Sequence, residues 1–335
     1  MLDAKAGPHS RARATMFCAL PRVVVAAALT CAGIGAAHAQ AYPDRSVKVV
    51  VAFTAGGTTD TLTRAVSNQM GQAFKSTFVV ENRPGAGGNI GTEYVVRSPP
   101  DGYTLIVNSV GPIAVNQSMY KLNYNPLTDL MPIVQIANVP NVLVVPADLP
   151  VKNIEEFLAY AKKAPAGTLN YASTGVGTSS HLSGYMLMDK LGVNATHVPY
   201  KGADALNDLL ASRVTFMFAT IPSVIGHIKA GKLRALAVSS KARSASLPDT
   251  PTVADQGFPD FDAGSWFGFF APKGTPPEVI AKINAGVNQA LPALKTQMIS
   301  EGADPVGGTP EDFARFTQAE QKKWESVVKK MGIAQ

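Results

Sequence analysis

The sequence predicts an α/β protein of two domains, each built on a mostly parallel sheet covered by helices. Three observations predict it. Strand-like and helix-like segments alternate over most of the length, the pattern of parallel sheets with crossover helices. A leader occupies residues 1–39, and the roughly 300 residues after it are too many for one compact core. Glycines and hydroxyl residues cluster where strands give way to helices, above all at Thr54 to Asp60 and Ser173 to Ser180.

The leader is set aside first because it is an address, not part of the fold. Val23 to Ala37 is apolar but too short to serve comfortably as a retained membrane anchor. Arg11, Arg13 and Arg22 precede it, and the small-x-small triplet Ala37-His38-Ala39 follows, so cleavage is expected after Ala39 or Ala41. Met16 to Ala39 alone makes a compact signal peptide, which leaves the start open between Met1 and Met16. Leu29-Thr30-Cys31 lies near a lipobox, but Thr30 stands where Gly, Ala or Ser is wanted.

Both cysteines, Cys18 and Cys31, fall inside the leader. The remaining chain therefore has no disulfide framework, thiol nucleophile or cysteine metal site. The formal charge of +6 includes Lys5, Arg11, Arg13 and Arg22 of the leader. The excess left after cleavage is small and forms no basic run, which argues against nucleic acid as a partner. No later stretch stays apolar for about 18 residues, so a soluble mature protein is expected.

The elements follow in order. Val47 to Phe53 reads as a buried strand, with a helix from about Thr59 to Phe74 after the Gly56-Gly57 turn. Phe78 to Glu81 is the next strand, Asn89 to Arg97 a helix, and Tyr103 to Asn108 a strand closed by Gly111-Pro112. A second alternating block starts near Asn141, with Asn153 and Glu156 as a capping box. Strands are expected at Leu169 to Ala172, Thr196 to Val198, Thr215 to Ala219 and Leu233 to Val238. Helices are expected at Ser179 to Leu191, Ala203 to Ala211 and Pro222 to Ala230. Trp266 to Ala271 is a strand, and Thr275-Pro276 and Thr309-Pro310 each open a helix. In the last helix Phe313, Phe316, Trp324, Val327 and Met331 form a stripe that reads as core contact, not a cofactor box.

Two turns bear on chemistry. Phe53 to Asp60 and Asn170 to His181 each put glycines and hydroxyls at a helix start just beyond a strand's carboxyl end. The first N–H groups of a helix lack internal partners and the dipole favours negative charge there, so such turns suit an anion. The same residues can equally do no more than cap helices. Asp60 is expected to be a capping or dipole partner, since a carboxylate in the first turn would repel an anion unless backbone donors hold its charge.

Catalytic patterns are weak. Gly-x-Ser-x-Gly is absent. Beyond the leader the histidines are His181, His197 and His227, with no His-x-x-x-His spacing for a metal. His181 is placed to line the cleft, while His197 and His227 are expected to be structural. Gly85 to Gly91 nearly matches a dinucleotide fingerprint, but Ile90 takes the third glycine's place, and it reads as a structural loop.

From about Tyr42 onward the chain resembles the receptors of the tripartite tricarboxylate transporter family, also called Bug proteins. The resemblance is carried by Gly-Gly-x-Thr-Asp within Phe53 to Asp60, Val80-Glu81-Asn82-Arg83-Pro84-Gly85 through Gly91, and Pro100-Asp101-Gly102-Tyr103-Thr104-Leu105. Asn170-Tyr171-Ala172-Ser173 with Gly177 to Leu182, His197 to Gly202, Ile228 to Val238 and Trp266-Phe267-Gly268 complete it. It implies a periplasmic-binding-protein (Venus-flytrap) fold, with domain one in 42–140 plus 265–335 and domain two in 141–264.

The resemblance further implies that a ligand carboxylate is gripped by Phe53, Thr54, Gly57, Thr58 and Thr59 from the first loop. Ala172, Ser173, Gly177, Thr178 and His181 would grip it from the second. Asn108 and Ser109 face the same crevice by topology, as does the turn containing Ala219, Thr220 and Pro222. Two departures stand out. Thr54-Ala55 replaces prolines found in many members, and Ala219-Thr220 replaces an Asp-Asn pair. Loss of that Asp removes a partner for a ligand ammonium group, so a ligand without a positive charge is expected: a di- or tricarboxylate or an aromatic acid, not an amino acid.

The expected function is capture of a small carboxylate in the periplasm by a monomer that delivers it to membrane transporter subunits, with no cofactor, metal or catalysis. The alternatives are a sensory binding module, or a hydrolase using Ser173 and His181.

Overall fold

The run VKVVV becomes strand β1 (Val47–Val51), deep inside a sheet because its valines are buried on both faces. The computed structural model describes residues 42–332; the leader expected over 1–39 lies outside the described residues. Helix α1 (Thr58–Phe74) follows the Gly56-Gly57 turn, with Leu62, Val66 and Met70 buried at four-residue spacing. Then come β2 (Phe78–Asn82), α2 (Asn89–Val96) and β3 (Thr104–Ser109). Gly111–Val115 forms a π-helical turn that continues into α3 (Asn116–Met119), and a second short helix, α4 (Pro126–Asp129), follows after a non-helical link.

Strand β4 (Leu130–Val139) runs almost directly into β5 (Asn141–Pro146), with only Pro140 between them. The second block follows as α5 (Ile154–Lys163), β6 (Asn170–Ser173), α6 (Ser179–Leu191), β7 (Thr196–Pro199), α7 (Ala205–Leu210), β8 (Phe216–Thr220), α8 (Ile221–Lys229) and β9 (Leu233–Val238). The chain closes with β10 (Ser265–Pro272), α9 (Pro277–Glu301), β11 (Asp304–Gly307) and α10 (Pro310–Met331).

The described residues form two sheets. One has the order β11-β4-β10-β3-β1-β2 and the other β7-β6-β8-β5-β9. The chain passes from the first to the second at Pro140 and returns between β9 and β10.

Both sheets are mixed, which qualifies the mostly parallel expectation. β1, β2 and β3 are mutually parallel, as are β6, β7 and β8, but β10 pairs antiparallel with β3 and β4, and β5 with β8 and β9. The reason is connectivity. The parallel strands end at the crevice between the sheets, and a strand that has just crossed the crevice begins there and must run the other way.

Local signals fare unevenly. Thr309 and Asp312 form the full capping box of α10. Asn153 caps α5 by accepting from the Glu156 amide at 2.8 Å, but the Glu156 carboxylate takes the Lys152 amide, so the box is half formed. Thr275 donates to the Pro272 carbonyl instead of capping α9, whose cap is Pro276. Phe313, Trp324 and Met331 are buried, and the indoles of Trp266 and Trp324 both donate to Glu320, so the stripe is core contact.

Asn141, wholly buried, joins the two crossings. Its amide donates to Ser239 Oγ at 2.9 Å and its side chain to Ser183 Oγ and the Ala263 carbonyl at 3.1 and 2.9 Å.

Candidate functional site

The loops after β1 and β6 meet at one cavity of about 80 Å³. In α1 the first amide to bond back is Thr61, to the Gly57 carbonyl at 3.0 Å, which leaves the Thr58, Thr59 and Asp60 N–H groups without helical partners. Helix α6 repeats this: Leu182 bonds back to Thr178 at 3.0 Å, leaving Ser179, Ser180 and His181. Thr58, Thr59, Thr178 and Ser179 all line the cavity. Two helix starts, one from each sheet, therefore present donors to one small volume, a preorganised place for negative charge.

Asp60 stiffens the first loop. Its carboxylate accepts from the Gly56 amide at 3.0 Å, from Asn82 Nδ2 at 2.9 Å and from the Arg64 guanidinium through both oxygens. Burial alone would raise its pKa, but the hydrogen bonds from Arg64, Gly56 and Asn82 outweigh burial and hold the carboxyl below its ordinary range. Asn82 also donates to the Phe53 carbonyl at 3.0 Å, so one network fixes both ends of the turn. Asp60 is thus the loop's internal partner, with its charge already held.

The second loop rests on stacked rings. His181 and His197 stack with centroids 3.9 Å apart, and Tyr171 continues the stack on His197 at 4.9 Å. His181 Nδ1 accepts from the Gly177 amide at 3.3 Å, so that nitrogen is unprotonated. Ser173 Oγ lies 2.6 Å from His197 Nε2. Burial lowers the His181 pKa to about 4, and burial with the neighbouring His181 lowers that of His197 to about 3. Both imidazoles are neutral struts under the loop. The Ser173–His181 pair of the hydrolase alternative does not form, because Ser173 pairs with His197 and is wholly buried off the cavity wall.

The two loops also bind the opposite domain directly. Thr54 Oγ1 donates to the Lys201 carbonyl at 2.9 Å and accepts the Ala203 amide at 2.9 Å. Thr58 and Thr220 hydroxyls meet at 2.8 Å. A Cβ on Gly87 would come within 2.4 Å of the Val176 carbonyl, so the Gly85–Gly91 segment is a packing loop that abuts the second loop.

Phe53, Gly57, Thr58, Thr59, Ser109, Thr178 and Thr220 line the cavity. The other expected residues lie behind it. Thr54 spans the cleft. Asn108 is buried and donates to Thr92 Oγ1 at 2.8 Å. Ala172 and Ala219 sit in the apolar interior of the second sheet. Gly177 and His181 hold each other beneath the loop, and Pro222 faces a separate groove.

The wall also includes residues that sequence reasoning passed over. Gly202 and Ala203 follow a strand and open a helix, the same signal that marked the other loops. Leu206, Met217, Val224 and Phe267 look like core residues in any sequence, and Ser265 carries no local mark. Among the described residues no three of His, Cys, Asp and Glu gather as metal ligands, and no helix is long and apolar enough to cross a membrane.

Two mixed α/β sheets joined by two crossings, with a cavity between them, define the class of two-domain periplasmic binding proteins. Within that class the chain belongs to the tripartite tricarboxylate transporter family receptors, whose family model matches residues 62–333. It is 36% identical over 315 residues to Protein BugT of Bordetella pertussis, covering 92% of this chain and 96% of that one. Its fold matches an adipate-bound protein of R. palustris with a TM-score of 0.85 at 38% identity, covering 88% and 99% of the two chains. It also matches MatC of Rhodopseudomonas palustris with bound malate, with a TM-score of 0.82 at 34% identity and 86% and 100% coverage.

Proposed function

We propose that this protein captures a small carboxylate between its two domains in the periplasm, without turning it over, and hands it to membrane transporter subunits as a monomer. The observation that carries this is the convergence of two helix N-termini, α1 and α6, on one cavity with no charged side chain in its wall. Solved structures of similar proteins with adipate and malate support the same ligand class. The domains are taken as 42–140 plus 265–335 and 141–264, hinged at Pro140 and near Gly264. Ligand contacts with both domains would favour the closed form over the open one. The burial of Ser173 away from the cavity supports binding without hydrolysis.

A thermal-shift panel of aliphatic and aromatic carboxylates, amino acids and neutral sugars tests the proposal. A ligand at one hundred times its dissociation constant adds about 2.7 kcal/mol, a shift of several degrees. Stabilisation by carboxylates alone is expected. Stabilisation only by sugars or amino acids would refute the carboxylate role, and release of product from a bound ester or acid would refute the absence of turnover.

A further inference from the structure

The cavity wall is divided chemically. Its donors gather where α1 and α6 begin, joined by the hydroxyls of Ser109 and Ser265. Elsewhere the wall is largely apolar, formed by Phe53, Ala203, Leu206, Met217, Val224 and Phe267 and interrupted by the hydroxyls of Thr174, Thr220 and Ser223. Ala203 lies in the 3-10 turn Gly202–Asp204 just before α7 and Leu206 in α7 itself, with Met217 on β8 and Val224 on α8. No Lys, Arg, His, Asp or Glu side chain belongs to the wall.

A third helix, α8, also starts at the cavity, but its donors are largely committed. The Ile221 amide bonds the Pro140 carbonyl at 3.2 Å, and Pro222 has no N–H to give. Ser223 Oγ donates to the Thr220 carbonyl at 2.7 Å, and the Thr220 hydroxyl is paired with that of Thr58 at 2.8 Å. Among the described residues one well-provided anion position therefore exists, where α1 and α6 start, while the α8 side offers only the isolated Ser223 amide and Thr174 hydroxyl.

We infer that the ligand carries a single carboxylate on an uncharged, largely apolar body. The inference rests on the carboxylate-capture reading of the same cavity. One carboxylate takes the free amides of α1 and α6, and the body fills the wall of Leu206, Met217, Val224 and Phe267. A second carboxylate would lose its water against that wall and find no cation and only isolated donors in return. The small cavity, about 80 Å³, suits a body no larger than a short chain or a single ring.

Matched acids test this by calorimetric titration of the purified protein: hexanoate against adipate, and 4-methylbenzoate against terephthalate. The monoacid of each pair is expected to bind roughly 10- to 100-fold more tightly. Equal or tighter binding of the diacids would overturn the inference and leave carboxylate capture standing. Binding of sugars or amino acids with no acid bound would overturn both. Leu206→Arg, at a half-buried position where the longer side chain can reach the cavity, supplies the missing cation and is expected to reverse the preference toward adipate. A folded variant that still prefers hexanoate would also overturn the inference.

Discussion

The Ala203 amide of the second domain donates to the Thr54 hydroxyl of the first at 2.9 Å, and the same hydroxyl donates to the Lys201 carbonyl at 2.9 Å. One oxygen thus uses its donor and an acceptor site across the cleft. A proline at position 54 would have no such hydroxyl. In the open form these backbone groups return to water, so the pair favours closure without a burial penalty for opening. Thr54→Val should weaken ligand binding roughly tenfold, since two neutral hydrogen bonds contribute about 1–3 kcal/mol together. The loss should appear as faster release in stopped-flow measurements, with the melting temperature of the unliganded protein nearly unchanged.

The Asp60 carboxylate makes a different prediction because it holds one loop together and does not cross the cleft. Asp60→Ala leaves the Gly56 amide without its partner, leaves Asn82 Nδ2 only the Phe53 carbonyl, and frees a partly exposed Arg64, which water can solvate. A stability loss of about 1–3 kcal/mol is expected by urea unfolding. Affinity should fall as well, even though a negative charge near the anion position has been removed. An increase in affinity would show that direct repulsion outweighs loop order.

That contrast explains what was legible in the sequence. The turn at Gly56-Gly57 and the Thr178-Ser179 start were visible because helix-start chemistry is local, and both line the cavity. Whether a side chain lines the cavity or lies behind it depends on packing. Ser173, Gly177 and His181 sit in the right loop, yet they bond inward to His197 and to one another. Leu206, Met217 and Val224 carry only the signal of a core, because an apolar ligand wall and an apolar core use the same residues. Strand β4 was missed because Pro132 sits within it and β5 follows with no turn between them. Strand β11, with Pro305 and Gly307, was missed because those residues disfavour strands except at an edge, where it lies.

The stacked histidines predict acid sensitivity of defined sign. Their pKa values fall from 6.5 to about 4 for His181 and about 3 for His197 on folding. Between those limits the unfolded chain binds more protons, so their full contribution is present above pH 6.5 and is lost as the pH falls toward 4 and 3. By pH 5 the loss should be roughly 2 kcal/mol per histidine. Melting curves from pH 7.5 to 5 would show it. The double substitution His181→Asn and His197→Gln keeps an acceptor near Gly177 and a polar partner for Ser173, and should flatten the dependence.

Gly202 adds a steric prediction to the same cleft. Its φ of +79° lies in the left-handed region, and a Cβ there would stand 2.5 Å from Thr54 Oγ1. Gly202→Ala should cost about 1 kcal/mol within the second domain from backbone strain alone. Binding should suffer far more, because the methyl group holds the first domain away and the cavity cannot close. Adding Thr54→Ala removes the clashing hydroxyl but also both cleft hydrogen bonds, leaving the Thr54 amide 3.1 Å from the new methyl. The double variant should therefore bind better than Gly202→Ala alone and worse than Thr54→Ala alone. A double-mutant cycle by calorimetry measures that coupling. Strict additivity would mean that the two residues do not meet when the ligand is bound.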